Sequence, residues 1–247
     1  MLLTIITCCK DGYVSLERTI ESYSVLKKYT ENVEIKVWDA SSSPKDIRKI
    51  IPEVNNLRNL TIDSVADRGL YDGINQAIGL ANGEYIAIIN SGDRLLHGFE
   101  EILNEIVFRS INGGEAPDIY ANPVMTWKNK IISPSPDFSA FIHQGFVYKK
   151  NLHYKYGEYL FSSGFTAADY LFFFGQIDLD LVSKCFGSTP IAFYQRPGLS
   201  SSFIHFLQRD IILGSKMKKS ALWFAAKFTH TIVRFYLSSI YNKVFYR

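Results

Sequence analysis

The sequence lacks the marks of several protein classes. Nowhere do about 18 apolar residues run without interruption, so no membrane-crossing helix is expected. Cysteine is scarce, with only Cys8, Cys9 and Cys185 present. That odd count, with two adjacent and none at metal-ligand spacing, fits a reduced, cytosolic chain better than a disulfide framework. The first nine residues, MLLTIITCC, are apolar but have neither a basic leading region nor a small-residue cleavage site. They read as a buried strand, not a signal peptide. There is no internal repeat and no low-complexity linker. The body carries no basic stripe, which argues against nucleic acid as a partner. The text after the first strand, TCCKDGYVS, holds the single Gly12 and not the glycine-rich loop of a nucleotidyltransferase.

What is present points to a globular α/β chain. Of 247 residues, 47% are apolar, enough for one large domain or a domain with an appendage. The net charge of +3 is unevenly spread. Residues 203–247 hold eight Lys and Arg against one acid, Asp210, so the body before them is mildly acidic.

Apolar runs and helical periodicities alternate through the first half. Strands are expected at Leu2–Cys9, Val33–Asp39, Leu57–Ser64 and Glu84–Asn90. Helices are expected at Ser15–Tyr29, from a Ser43-Pro44 start to about Ile51, at Leu70–Asn82 and at Phe99–Arg109. This order predicts an α/β fold with a mainly parallel central sheet flanked by helices. The second half is less regular. Strands are expected within Asp118–Pro134, at His143–Lys149 and at Thr189–Gln195, and a helix over Thr166–Gln176.

In open sheets of this kind ligands bind beyond the carboxyl ends of the strands. Polar residues collect there: Asp39 ends the second strand, Asp67 follows the third, and Asn90–Asp93 (NSGD) follow the fourth. Asp93 is well placed to supply a carboxylate oxygen to a hard divalent cation, or equally to cap the next helix. Asp67, Arg68 and Gly69 open a strand-to-helix turn. Gly69 lets backbone approach a ligand, and the helix start can face phosphate. The alternative is an ordinary turn with solvated charges. Asp169, in TAADY, reads as a general base or as a helix-start acid. His143 and Gln144, in HQGF, read as ligand-contacting or as structural polar residues.

Taken together these segments resemble family-2 inverting glycosyltransferases of the A-type, Rossmann-like nucleotide-sugar fold, in the bacterial polysaccharide branch of colanic-acid type. The run DRGLYDGINQAIGLANGEYIAIINSGD, Asp67 to Asp93, carries the resemblance. LLTIITCCKDG, HQGFVYKKNL, TAADYLFF and PGLSSS extend it over roughly residues 1–205. It implies a transferase domain at 1–202, with a donor-binding half at 1–97 and an acceptor-binding half at 98–202. It implies that Thr7, Asp39, Asp67, Arg68, Gly69, Asp72, Asn75, Asn90, Ser91 and Gly92 hold a nucleotide-diphosphate sugar, with uracil the favoured base. Asp93 is implied as ligand of Mn²⁺ or Mg²⁺, Asp169 as the base, and His143 and Gln144 as acceptor contacts. The acceptor would be a saccharide or lipid-linked saccharide in surface polysaccharide synthesis. There are departures: Pro44 stands where a second acid is usual, Val65 where Glu is common, and Asn90 in place of the first acid of the metal motif. A non-catalytic nucleotide-sugar-binding scaffold is the alternative use of the same site.

Residues 203–247 interleave Phe206, Ile211, Trp223, Phe224, Ile232, Phe235 and Ile240 at helical spacing with Lys218, Lys219, Lys227 and Arg234. This predicts a basic amphipathic helical tail lying at an anionic membrane surface, peripheral at the inner face of the cell membrane. Packing on the body or on a second copy, as a homodimer, is the alternative.

Overall fold

In the computed structural model the described residues are 1–195 and 202–245, without the side chains of 234–245. Most of the PGLSSS match and the tail side chains from Arg234 onward lie outside them. The chain forms two compact units, one of Met1–Glu158 with Asp178–Gln195, the other of Tyr159–Ile177 with Arg196–Arg247.

The first unit is built on β1 (Leu3–Cys9), α1 (Tyr13–Ser22), β2 (Val33–Asp39), α2 (Ile47–Ile50), β3 (Leu60–Ser64), α3 (Leu70–Gly79) and β4 (Tyr85–Ile88). β1 and β2 are buried along their whole length, as strands covered on both faces are; β1 is largely apolar, whereas in β2 Glu34, Lys36 and Asp39 are buried with polar partners. β5 (Arg94–Leu95), α4 (Phe99–Asn112), β6 (Ile119–Ala121), β7 (Val124–Thr126), β8 (Ile131–Ile132), β9 (Phe146–Lys149), α5 (Asn151–Tyr156), β10 (Lys184–Phe186) and β11 (Ala192–Tyr194) complete it. Seven strands make one sheet in the order β10-β6-β9-β4-β1-β2-β3. The β4-β1-β2-β3 half is parallel, and β9 runs antiparallel between β4 and β6. The smaller sheet is ordered β5-β11-β7-β8. Leu16, Ile20, Leu103 and Ile106 bring α1 and α4 into one core with Ile5, Val37 and Ala87 of the large sheet.

Some expectations shift. The helix from Ser15 begins at Tyr13 and tightens into a 3₁₀ turn over Tyr23–Tyr29. Ser43-Pro44 does not open a helix; the short α2 starts after Asp46 and ends before Pro52, too brief for the proline signal to govern. The helix expected over Leu70–Asn82 ends at Gly79, which leaves Gly83 in the loop before β4. A Cβ there would lie 2.4 Å from the Thr4 nitrogen, so the glycine lets the loop before β4 press against β1. A buried polar group holds that loop: Thr4 Oγ1 donates to Glu34 (2.7 Å), as do the Asn82 backbone (2.9 Å) and side-chain amide (2.7 Å).

The second unit contains α6 (Ala168–Tyr170), which widens into a π-type turn over Leu171–Gln176, then α7 (Phe203–Lys216) and α8 (Ala221–Phe245). Tyr159, Phe172 and Phe173 pack ring to ring. Arg209 of α7 lies over the Tyr170 ring at 4.8 Å, and Gln208 joins Thr166 and Gly164. α8 folds back on α7. Lys227 and Thr231 meet Asp210, and Gly214, where a Cβ would lie 2.5 Å from Phe224, admits that ring against the backbone. Among the described residues no helix is long and apolar enough to cross a membrane.

Candidate functional site

The candidate site is built in the first unit from the carboxyl ends of β1, β2 and β4. The turn after β4 is pinned from three sides. The Ser91 backbone N–H donates to Cys8 C=O (3.1 Å) and its hydroxyl to Gly12 C=O (3.3 Å). Gly92 N–H donates to the Thr19 hydroxyl (2.9 Å), which donates in turn to Asp93 C=O (2.7 Å). Gly92 sits at φ 102°, a left-handed backbone that favours glycine. Thr19 of α1, which the sequence pattern did not single out, therefore fixes the turn.

Asp93 is the hub of this turn and is only 4% exposed. Its Oδ1 accepts the Gln195 backbone N–H at 2.9 Å, and its Oδ2 accepts the Gln144 side-chain amide at 2.5 Å. Burial pushes its carboxyl up to about 6, against the lowering effect of those hydrogen bonds and of His143. A carboxylate has about four lone-pair positions, so two hydrogen bonds leave acceptor capacity unused. Beside it the buried oxygens Asn90 Oδ1 and Gln144 Oε1 have no hydrogen-bond partner among the described residues. His143 Nε2 lies 3.4 Å from Asn90 Nδ2. Gln144, expected at the acceptor, is 2% exposed and committed to Asp93, so its side chain belongs to this cluster. No group of three or more His, Cys, Asp or Glu capable of holding a metal occurs among the described residues. Oxygen donors beyond Asp93 would have to be amides, backbone, water or ligand.

A second network sits at the end of β2. Asp39 is fully buried and accepts from the Ser41 backbone N–H (3.1 Å) and hydroxyl (2.5 Å) and from Tyr13 Oη (3.0 Å). Tyr13 Oη accepts Lys45 N–H (3.0 Å), and Ser41 Oγ accepts Asp11 N–H (2.7 Å). Asp39 thus orients the loops after β1 and β2. Tyr13 and Ser41 had no signal beyond lying near strand ends.

The third element is the turn into α3. Asp67 Oδ1 accepts Gly69 N–H (3.0 Å), and burial raises its pKa above the ordinary carboxylate value. Gly69 has φ 136°, again a glycine backbone. A Cβ on Gly73 would lie 2.5 Å from Asp67 Oδ2 and 3.0 Å from the Trp38 ring, so this glycine lets carboxylate and indole converge over the helix start. The Trp38 Nε1 donor is buried without a partner among the described residues. Asp72 is 3% exposed and grips Arg68 through three hydrogen bonds, chiefly the side-chain contacts that hold its carboxyl below the usual range. Its role is to fix Arg68, whose side chain is 72% exposed.

Two expected contacts turn inward. Thr7 is fully buried with its hydroxyl paired to Tyr23 Oη, because alternation along β1 points it into the core. Asn75, on the buried side of α3, is 9% exposed. Asp169 lies in the second unit, at the start of α6, where its Oδ1 accepts Tyr170 N–H at 2.8 Å.

Comparison with known proteins accords with this architecture. The model of glycosyl transferase family 2 matches residues 4–168, well over half of the chain. The chain belongs to that family and is a glycosyltransferase. Its fold is similar to that of Staphylococcus aureus TarS residues 1–349 solved with UDP-GlcNAc, at a TM-score of 0.66 and 14% identity, covering 95% of this chain and 71% of the other. It is also similar to the Pyrobaculum calidifontis mannosyltransferase PcManGT solved with GDP-Man and Mn²⁺, at 0.62 and 14%, covering 95% and 69%. At these identities the likeness concerns the fold. No curated protein matches the chain in sequence.

Proposed function

We propose that the protein transfers a sugar from a nucleoside-diphosphate sugar, with UDP as the carrier, to a hydroxyl of a saccharide or lipid-linked saccharide in surface polysaccharide synthesis. The observation that carries this reading is the Asn90–Asp93 turn. A buried carboxylate raised to about 6, with unpartnered amide oxygens beside it, stands at the carboxyl end of a parallel sheet. Asp93, with Asn90 and Gln144, would hold Mn²⁺ or Mg²⁺, a hard cation suited to oxygen donors. When bound, the ion offsets negative charge on the diphosphate. The solved neighbours with UDP-GlcNAc, and with GDP-Man and Mn²⁺, support a donor of this kind.

The chain's own residues do the rest. Asp67, with Gly69 at the start of α3, faces the nucleoside and phosphates, and the helix N-terminus favours their negative charge. Arg68, held by Asp72, supplies an exposed positive charge to the departing diphosphate. Asp39 holds Tyr13 and Ser41 in place for the base. Asp169 takes the proton from the acceptor hydroxyl. The acceptor oxygen then bonds to the anomeric carbon as the bond from that carbon to the phosphate oxygen breaks, inverting the centre. The assignment of Asp169 rests on the TAADY motif. We take residues 1–202 as the transferase domain, its donor half at 1–97 and its acceptor half at 98–202.

Isothermal titration with UDP, with and without Mn²⁺, tests the donor reading. Binding should require the ion and disappear in Asp93→Ala. Asp169→Asn should keep UDP binding and lose transfer. A folded protein with no UDP affinity would sink the proposal. Binding without transfer to any acceptor would favour the scaffold alternative.

A further inference from the structure

The α7–α8 pair of the second unit is not used by the sugar-transfer chemistry, and its outward face has an unusual make-up. The side of α8 that meets α7 is defined by Phe224, Lys227 and Thr231. About half a turn round the helix lie Leu222, Ala226, Thr229 and Val233, spaced four, three and four residues apart. Leu222 is 79% exposed and Val233 50% exposed. Met217, in the turn between the helices, is also exposed, at 49%, and is followed by the exposed Lys218 and Lys219. Residues 211–247 contain seven Lys and Arg and not one Asp or Glu.

We infer that this turn and the outward face of α8 dock on an anionic lipid surface, holding the enzyme at a membrane without crossing it. The apolar side chains enter the headgroup boundary while the lysines meet lipid phosphate. Charge decides among possible occupants. The spacing along α8 would also suit helix pairing with a second copy, but two such helices bring cations together with no acid to pair against. Nucleic acid would satisfy the lysines and leave Leu222 and Val233 exposed. An anionic bilayer satisfies both sets at once. Some 25 residues of helix give about 37 Å to lie along the surface.

Flotation of the full chain with vesicles tests this, using phosphatidylcholine alone and phosphatidylcholine mixed with phosphatidylglycerol, at low and high salt. Co-flotation is expected with the anionic vesicles only, and weaker at high salt. Leu222→Glu with Val233→Glu should abolish it. Lys218→Gln with Lys219→Gln should lower the partition coefficient roughly twenty-five-fold, at about fivefold per lysine. Unchanged UDP binding and melting temperature in both variants show that they are folded and keep this result separate from the donor site. The inference is overturned by absence of flotation, by flotation that the two Glu substitutions leave intact, or by a dimer in light scattering that they dissociate. Binding of an RNA oligonucleotide that displaces the vesicles and survives those substitutions overturns it too.

Discussion

Gln144 and Asp93 stand 51 residues apart, yet the Gln144 amide donates to the Asp93 carboxylate at 2.5 Å with both side chains almost wholly buried. The bond sets which way the amide faces. Its nitrogen is fixed on Asp93, which leaves Oε1 as the atom without a partner. Gln144→Leu removes the donor and leaves the carboxylate under-satisfied, at a cost of about 1–3 kcal/mol. Denaturant titration should show that loss, and calorimetry should show weaker Mn²⁺-dependent UDP binding. Equal affinity in the variant would mean that Gln144 does nothing for the donor site.

The raised pKa of Asp93 has a definite sign. Burial lifts it from 3.8 to about 6, so between those values the folded chain holds a proton that the unfolded chain has released. This group's contribution to stability therefore shrinks as pH rises through that window and is least favourable above about 6. A bound cation takes the proton's place. Mn²⁺ with UDP should raise the melting temperature more at about pH 7.5 than at about pH 5. Asp93→Asn should erase the difference. A shift independent of pH would remove Asp93 from the metal's ligands.

Two glycines separate site from scaffold. At Gly73 an added Cβ meets the end of the Asp67 side chain and the edge of the Trp38 ring, whereas at Gly83 it meets the β1 backbone. Gly73→Ala gains up to about 1 kcal/mol of helix propensity, which offsets much of the crowding. Its stability should stay near that of the parent while UDP affinity falls, because Asp67 is displaced. Gly83→Ala cannot relax by moving a side chain and should lose about 1–3 kcal/mol or more. Parallel melting and UDP titration of the two variants check this. Intact UDP affinity in Gly73→Ala would show that the position of Asp67 is unimportant.

The sequence made the parallel half of the sheet legible because β1 and β4 are apolar runs followed by polar residues, a pattern that follows from burial on both faces, and because β2 keeps apolar residues at alternate positions up to Asp39. It did not reveal β10, three residues at a sheet edge that are half-buried or exposed and so carry little pattern. The turn at Asn90–Asp93 was legible as a place. Its supports were not: the Asp93 carboxylate is held by a backbone N–H 102 residues away, and a backbone donor leaves no trace in residue identity. Thr7 is implied as a ligand contact by the family resemblance, and Asp39 also by its place at the end of a strand. Side-chain direction along the strand turns Thr7 inward, and Asp39 acts through Ser41 and Tyr13.

His153 supplies the opposite pH response in the same unit. Its Nδ1 lies 3.2 Å from Gly157 C=O, which can only accept, so Nδ1 carries the proton and Nε2 accepts from Tyr148 Oη at 3.0 Å. Burial holds its pKa down to about 4, below the ordinary 6.5. In that window the unfolded chain binds the proton and the folded chain does not. The contribution of His153 is therefore complete above about 6.5 and is lost as pH falls towards 4, by an amount on the order of 3 kcal/mol. Asp93 acts in the contrary sense over much of the same range, so the parent's stability should change less than either group alone implies. His153→Phe with Tyr148→Phe removes both side-chain partners together and leaves the exposed Gly157 carbonyl to water, which keeps the substitution mild. Denaturant titrations from about pH 7.5 to 4.5 should show the double variant losing less stability on acidification than the parent. Parallel curves for the two proteins would mean that His153 titrates in the folded chain as it does in the unfolded one.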